Sequence, residues 1–364
     1  MTRVRPGVWT LVTLLLGAGA YALFLVIRGE LVDFEVYRTA AARALAAEPL
    51  YRLEDGHYQF KYLPVFAFVM TPFAPLSKGL AEGLWFGLSV VMAAWFVRLS
   101  LVAVPDRRLS DDRLIVLGLL LTGKFLVKEL AFGQTNLLLG IVLLGAVLAA
   151  QRGRGLAAGL LIGAGVFIKP YALVLVPWLL WVSGPSAVAA LSSVLAAGVF
   201  LPAAAYGWTG NLDLLADWYR TVTGTTSTML LRHENISFAS MWAKWLGPME
   251  ASPMLTAAAS AIAIPIAGAP SLRARPVAPP ACLEYGMLAL LVPLLSPQGW
   301  DYLLILALPG FLLLVDRWRD TPWPWRAAMI GGVAVTSFAI FDLMRRPLYE
   351  FVMNGAVPTL GTLA

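Results

Sequence analysis

The chain is poor in the residues from which soluble domains and metal centres are built. Of its 364 residues only 13% are charged, two are histidine and one is cysteine. The single Cys282 excludes an internal disulfide and a cysteine-built metal site, and its apolar surroundings suit an inert buried thiol. With His57 and His233 as the whole histidine complement, a histidine-built metal centre is not expected. No internal repeat suggests the duplicated halves of many transporters, and no two broken helices match. No stretch remains for a separate soluble domain.

What the chain has in abundance is apolar sequence: 59% of it is hydrophobic, with a mean hydropathy of +0.76. That composition belongs in a bilayer, whose core of about 30 Å takes about 20 residues of helix to cross. Apolar runs predict spans near 9–27, 79–104, 114–128, 137–150, 156–168, 171–183, 186–206, 253–268, 281–295, 302–315 and 327–342. The expectation is an all-α polytopic membrane protein of about eleven transmembrane helices forming one domain over residues 1–364. The first run follows Arg3 and Arg5 like a secretory signal, but it lacks a small-residue cleavage site and is read as a helix. Segment 64–76 is apolar but short and proline-rich, so it is placed as a re-entrant or interfacial piece.

Charge placement gives the sidedness. With the N-terminus cytoplasmic, inner loops carry Arg107, Arg108 and Arg113, then Arg152 and Arg154, then Arg273 and Arg275, then Arg317, Arg319 and Arg326. Outer connections, including the long ones at 28–78 and 207–252 and the C-terminal tail, collect the acids. The net charge of +6 is thus explained by anchoring against membrane lipids, and nucleic acid is not expected as a partner.

Polar residues at the outer ends carry what chemistry there is. An acid-x-acid pair, Asp33 and Glu35, opens the first outer loop, with Tyr37 following. One reading is a solvated amphipathic helix on the interface with Tyr37 and Leu45 facing lipid; the other makes Asp33 a catalytic base. Asn136, Lys169-Pro170 and Ser296-Pro297 stand where helices start inward, so positive helix ends face outward and suit an anion such as phosphate. Lys124, Lys128 and Lys169 lie near those ends, at a depth where a charge either snorkels or serves a function. Arg232, His233, Glu234, Asn235 and Ser237 form a dense polar cluster in the second long loop. A magnesium or manganese site built from Asp33 and Glu35 stays open.

Several of these pieces, in order, resemble a known family. Asp33-Phe34-Glu35-Val36-Tyr37, Pro49-Leu50-Tyr51, Lys61-Tyr62-Leu63-Pro64 with Pro72 and Pro75, Gly133-Gln134-Thr135-Asn136, Ile168-Lys169-Pro170, Glu234-Asn235-Ile236-Ser237 and Ser296-Pro297-Gln298-Gly299-Trp300-Asp301 are similar to motifs of the polyprenol-phosphate-sugar-dependent glycosyltransferases of the GT-C superfamily. The likeness is greatest to the GT87 group, which includes a mycobacterial phosphatidylinositol mannoside α-1,2-mannosyltransferase. It implies a GT-C fold with interfacial helices in the first outer loop, a polyprenyl-phosphate sugar donor, a lipid or glycan acceptor, and a site outside a bacterial inner membrane serving the cell envelope.

By position Asp33 would be the base of an inverting transfer, with Glu35 and Tyr37 orienting it or the acceptor. Lys169, Lys124, Lys128, Gln134, Asn136, Arg232 and His233 would meet the donor phosphate, with no obligatory metal. Lys61, Tyr62, Asn235, Ser237, Trp300 and Asp301 are further site candidates. One departure stands: family members often have a histidine shortly after the tryptophan of the Ser-Pro motif, where this chain has Asp301 and Tyr302. Two rival classes are a transporter or flippase, disfavoured by the apolar inner halves of the helices, and a lipid-linked oligosaccharide ligase, disfavoured by the few arginines in 207–252.

Overall fold

A computed structural model describes Gly17, Tyr21 and residues 31–247, 252–269 and 280–363. Apart from Gly17 and Tyr21, the expected span 9–27 lies outside these residues, as do Arg273 and Arg275. Among the described residues the chain is all-helical, without a strand and with one isolated bridge between Asn235 and Trp300. It divides into two compact units, one holding residues 31–95 and 129–225, the other 96–128 and the described residues from 226 onward.

Among the described residues, one helix, Lys78–Ala103, is long and apolar enough to cross a bilayer alone, and counting each sharply bent pair as one span raises the number to at most four. Shorter apolar helices at Gly155–Ile168, Pro170–Ser183, Pro253–Gly268 and Ala281–Leu295 fall where spans were expected. Length and apolarity therefore do not recover eleven full spans. The breaks have local causes: Pro170 opens a 3-10 turn, and Pro185–Phe200 meets Ala203–Met229 at a 92° bend beside Pro202.

In the first unit, Val32–Leu45 is helical because its apolar residues recur on one side. Phe34, Tyr37, Ala40, Ala41 and Ala44 are buried, and Asp33 and Glu35 sit in the first turn, where the positive helix end favours acids. Tyr37 is 2% exposed and Leu45 62%, so the tyrosine faces protein and not lipid. Phe34 stacks on Trp85 with ring centres 5.1 Å apart, and Tyr37 meets Tyr62 and Phe66 edge-on at 4.9 and 5.4 Å. The proline-rich segment forms the short helix Pro64–Val69, packed on Val32–Leu45, with Val65, Phe66 and Ala67 buried.

Much of the stretch expected to be a long outer loop is helix, Ala203–Met229, kinked at Gly207 where φ is +70°. Its polar residues conceal an amphipathic pattern that turns Asn211 and Leu214 inward. Tyr206 donates to the Glu48 carbonyl at 2.7 Å and Trp218 to that of Lys61 at 3.1 Å, tying this helix to the first outer loop.

Glycine sets the close packing of Gly155–Ile168 on Pro185–Phe200. A Cβ on Gly159 would lie 2.0 Å from the Ala187 carbonyl oxygen, and one on Gly163 2.9 Å from Val194 Cβ, a small-residue contact at four-residue spacing.

In the second unit, the motifs around Asn235 and Pro297 form one knot. Ile236 N–H donates to the Gly299 carbonyl at 2.7 Å, Asp301 N–H to that of Glu234 at 2.8 Å, and the Asn235 amide to that of Pro297 at 2.8 Å. Gly299 is needed there, since a Cβ would fall 1.9 Å from the Pro293 carbonyl oxygen. The C-terminal tail is helical as Phe341–Asn354, which includes a break at Arg345, and Val357–Leu363.

The Gly159 contact makes a direct prediction. Gly159→Ala should lower stability by about 1 to 3 kcal/mol through overpacking against backbone, read as a lower melting temperature in detergent. Gly145→Ala, whose new Cβ would meet Leu161 at an ordinary 3.7 Å, should melt as the parent does.

Candidate active site

The site in the first unit is set by how one helix ends. At the close of Asp111–Phe132, Gly133 takes the left-handed φ of +70°, Gly133 N–H donates to the Leu130 carbonyl at 3.3 Å and Gln134 N–H to that of Glu129 at 2.9 Å. This is a Schellman closure, which requires a residue without a Cβ at its left-handed position. The requirement is doubled because a Cβ on Gly133 would lie 2.8 Å from Phe34 Cβ, and Trp85 fixes the turn by donating to the Gly133 carbonyl at 2.9 Å.

The turn delivers Gln134 to the first turn of Val32–Leu45. Its amide Nε2 donates to Asp33 Oδ2 at 2.5 Å, while its Oε1 accepts from Lys169 Nζ at 3.4 Å. One side chain thus spans the acid and the amine. Asp33 and Lys169 are each half-buried, and Gln134 is buried. Lys169 stands in the break between Gly155–Ile168 and the 3-10 turn Pro170–Leu175.

Electrostatics follow from that placement. Burial pushes the Asp33 carboxyl above its ordinary range, against the pull of Lys169, the Gln134 hydrogen bond, Lys61 and His57. Burial pulls the Lys169 ammonium down to about 8, although Glu129 and Asp33 both favour its charge. Burial lowers Lys61 too, with Asp33 opposing. A poised carboxylate with two weakened ammonium groups around it can accept a proton and hold an anion at one place.

The other expected residues of this unit take different places. Asn136 does not leave a helix end open to an external anion. Its Nδ2 donates to Glu129 Oε2 at 2.7 Å and Leu137 N–H to Glu129 Oε1 at 2.9 Å, so a buried carboxylate of the chain itself already fills that end. Glu35 is held on both oxygens by Arg38 at 2.7 and 2.9 Å. Tyr37 and Tyr62 share a hydrogen bond of 2.8 Å, and Tyr62 reaches Thr135 Oγ1 at 3.3 Å, so both brace the turn from beneath. Among the described residues, no three His, Cys, Asp or Glu side chains gather as a metal-holding group.

In the second unit, Lys124 and Lys128, one helical turn apart, close on Asp301, with Lys124 Nζ 2.7 Å and Lys128 Nζ 2.9 Å from its oxygens. Lys128 also reaches Glu234 at 3.2 Å, and Lys124 the Thr336 carbonyl at 3.1 Å. Asp301 is 2% exposed, so both lysines are engaged by a buried acid before any ligand arrives. Asn235 and Ser237 work as local fasteners, Ser237 Oγ capping Phe238–Leu246 through Ser240 N–H at 3.0 Å. Arg232 and His233 are exposed, with the His233 ring 6.2 Å from Tyr349, and Trp300 stacks near Tyr302 at 6.5 Å.

Sequence reasoning passed over Glu129 as one of several loop acids. The available signal was an acid in the last turn of an apolar run, where a lone charge is costly. His57 was noted only as a poor metal ligand, and the structure places it among the surroundings of Asp33.

No curated protein and no solved structure matches the chain. A family model, Glycosyltransferase family 87, matches residues 60–297. The matched stretch takes in Lys61, Gln134 and Lys169 and leaves Asp33, Glu35, Tyr37, Trp300 and Asp301 outside it. Covering about two thirds of an apolar, all-helical chain, the match shows that this protein belongs to glycosyltransferase family 87 and is a membrane glycosyltransferase.

Proposed function

We propose that the chain moves a single sugar, mannose or another hexose, from a polyprenyl-phosphate donor to a lipid or glycan acceptor at the outer face of a bacterial inner membrane. The observation that carries this is the Asp33–Gln134–Lys169 arrangement, in which a half-buried acid and an amine share one amide beside Lys61.

Asp33 accepts the proton of an acceptor hydroxyl as its oxygen bonds to the anomeric carbon. The bond from that carbon to the phosphate oxygen breaks, and the phosphate leaves with both electrons, inverting the centre. Lys169 and Lys61 stabilise the departing anion in an environment poor in water, where such contacts are strongest. Gln134 takes over the orienting role first given to Glu35 and Tyr37, holding Asp33 by its Oδ2. Lys124 and Lys128, already paired with the buried Asp301, are left out of the donor site in this reading.

Purified protein supplied with a radiolabelled polyprenyl-phosphate mannose and membrane lipids tests the assignment. Asp33→Asn should retain less than about a hundredth of the parental rate while still binding donor, as loss of a general base implies. A rate above that level removes Asp33 from the role. Lys169→Ala should lower kcat/KM for the donor by about a hundredfold or more.

The pH profile should be bell-shaped. The base must be ionised, so with its pKa raised the rate falls as pH drops toward that value. The amine must be charged to meet phosphate, so donor KM rises as pH passes about 8. Lys169→Arg should move the alkaline limb upward, because a guanidinium keeps its proton; an unmoved limb would assign it to another group.

A further inference from the structure

Glu129 is fully buried, and all three of its oxygens serve the same turn. Its main-chain carbonyl accepts from Gln134 N–H at 2.9 Å. Its two carboxylate oxygens accept from Leu137 N–H at 2.9 Å and the Asn136 amide at 2.7 Å. The residue therefore grips the four-residue turn from both sides, with Gln134 between the grips. This side chain also lies against the positive end of Asn136–Gln151, which favours the hydrogen bonds it accepts there.

Gln134 must hold its amide in one orientation to serve both neighbours, donating to Asp33 and accepting from Lys169. A shift of about 1 Å in a positioning group can cost a hundredfold in rate. We infer that Glu129 is a positioning residue for the transfer reaction, acting on Asp33 through the turn that carries Gln134, while its direct effect on Lys169 is one of charge and is read in donor KM and not in kcat. This rests on the assignment of Asp33 as base and Lys169 as phosphate contact.

The conservative change is Glu129→Gln, which keeps the shape but leaves one acceptor oxygen where two donors arrive. The test is a double-mutant cycle with Gln134→Ala, read as kcat and donor KM with polyprenyl-phosphate mannose and membrane lipids. Glu129→Gln should lower kcat about tenfold in the parent, with a smaller change in donor KM, and less than about twofold in the Gln134→Ala background. Additive effects, or a parental kcat in Glu129→Gln, overturn the inference, since a general loss of structure would act in both backgrounds alike. Should Glu129→Gln fail to fold, Asn136→Ala, which removes one partner of the carboxylate and buries no new charge, enters the same cycle with the same two outcomes. Asp33→Asn is run beside these. If it transfers normally the base assignment itself falls, whereas an inactive Asp33→Asn with an additive cycle overturns Glu129 alone.

Discussion

An ionised side chain inside an apolar helical bundle must find a counter-charge or a set of hydrogen bonds close at hand, because leaving it alone costs more than most single packing contacts return. The described part of this chain is arranged around that constraint. Asp301 is answered by two ammonium groups within 2.9 Å and is closed off from solvent. Among the described residues, Asp33 is answered by one amide hydrogen bond at one oxygen, with Lys169 and Lys61 contributing charge and not contact. The first acid is spent on structure. The second keeps capacity for chemistry.

The difference arises from backbone geometry. Gly133 can close its helix in the left-handed conformation and still pass close to Phe34, so a polar turn is laid against the start of Val32–Leu45. Aromatic packing beneath, from Phe34 and Trp85 to Tyr37, Tyr62 and Phe66, holds that helix start in place. Asp33, the proposed base, is thus mounted on a packed helix start, while Gln134, which donates to it, sits on a turn fixed at both ends by Glu129.

How much of this was readable beforehand depended on the range of the interaction. Composition alone placed the chain in a membrane, because burying so much apolar sequence in a soluble fold of this size has no counterpart. The short motifs brought out Asp33, Gln134 and Lys169, which the structure joins although 101 and 35 residues separate the hydrogen-bonded pairs. What stayed hidden was pairing. Nothing near Lys124 or Lys128 in sequence names Asp301, 173 residues from Lys128, so two lysines that look available for phosphate prove engaged. Helix ends misled in the same way: Asn136 marks a positive end correctly, yet the anion that occupies it comes from Glu129, seven residues back on the preceding helix. Helix Ala203–Met229 was read as loop because its apolar residues are too spaced to register as a run, though regular enough to turn one side inward.

The contrast between the two acids also bears on the proposed role of Asp33. A general base must collect a proton and then lose it in every cycle, so it needs a route outward and a pKa that can be crossed. Asp301 has neither, being enclosed and held between two cations. Asp33 is half-buried, with its pKa raised by burial and restrained by nearby positive charge. Its hydrogen-bond partner is an amide, which cannot take the proton away from the acid. Replacing Gln134 by a cation would hold Asp33 more firmly and make it a weaker base, so a neutral bridge between acid and amine is the arrangement that preserves both a charged anion site and a usable proton acceptor.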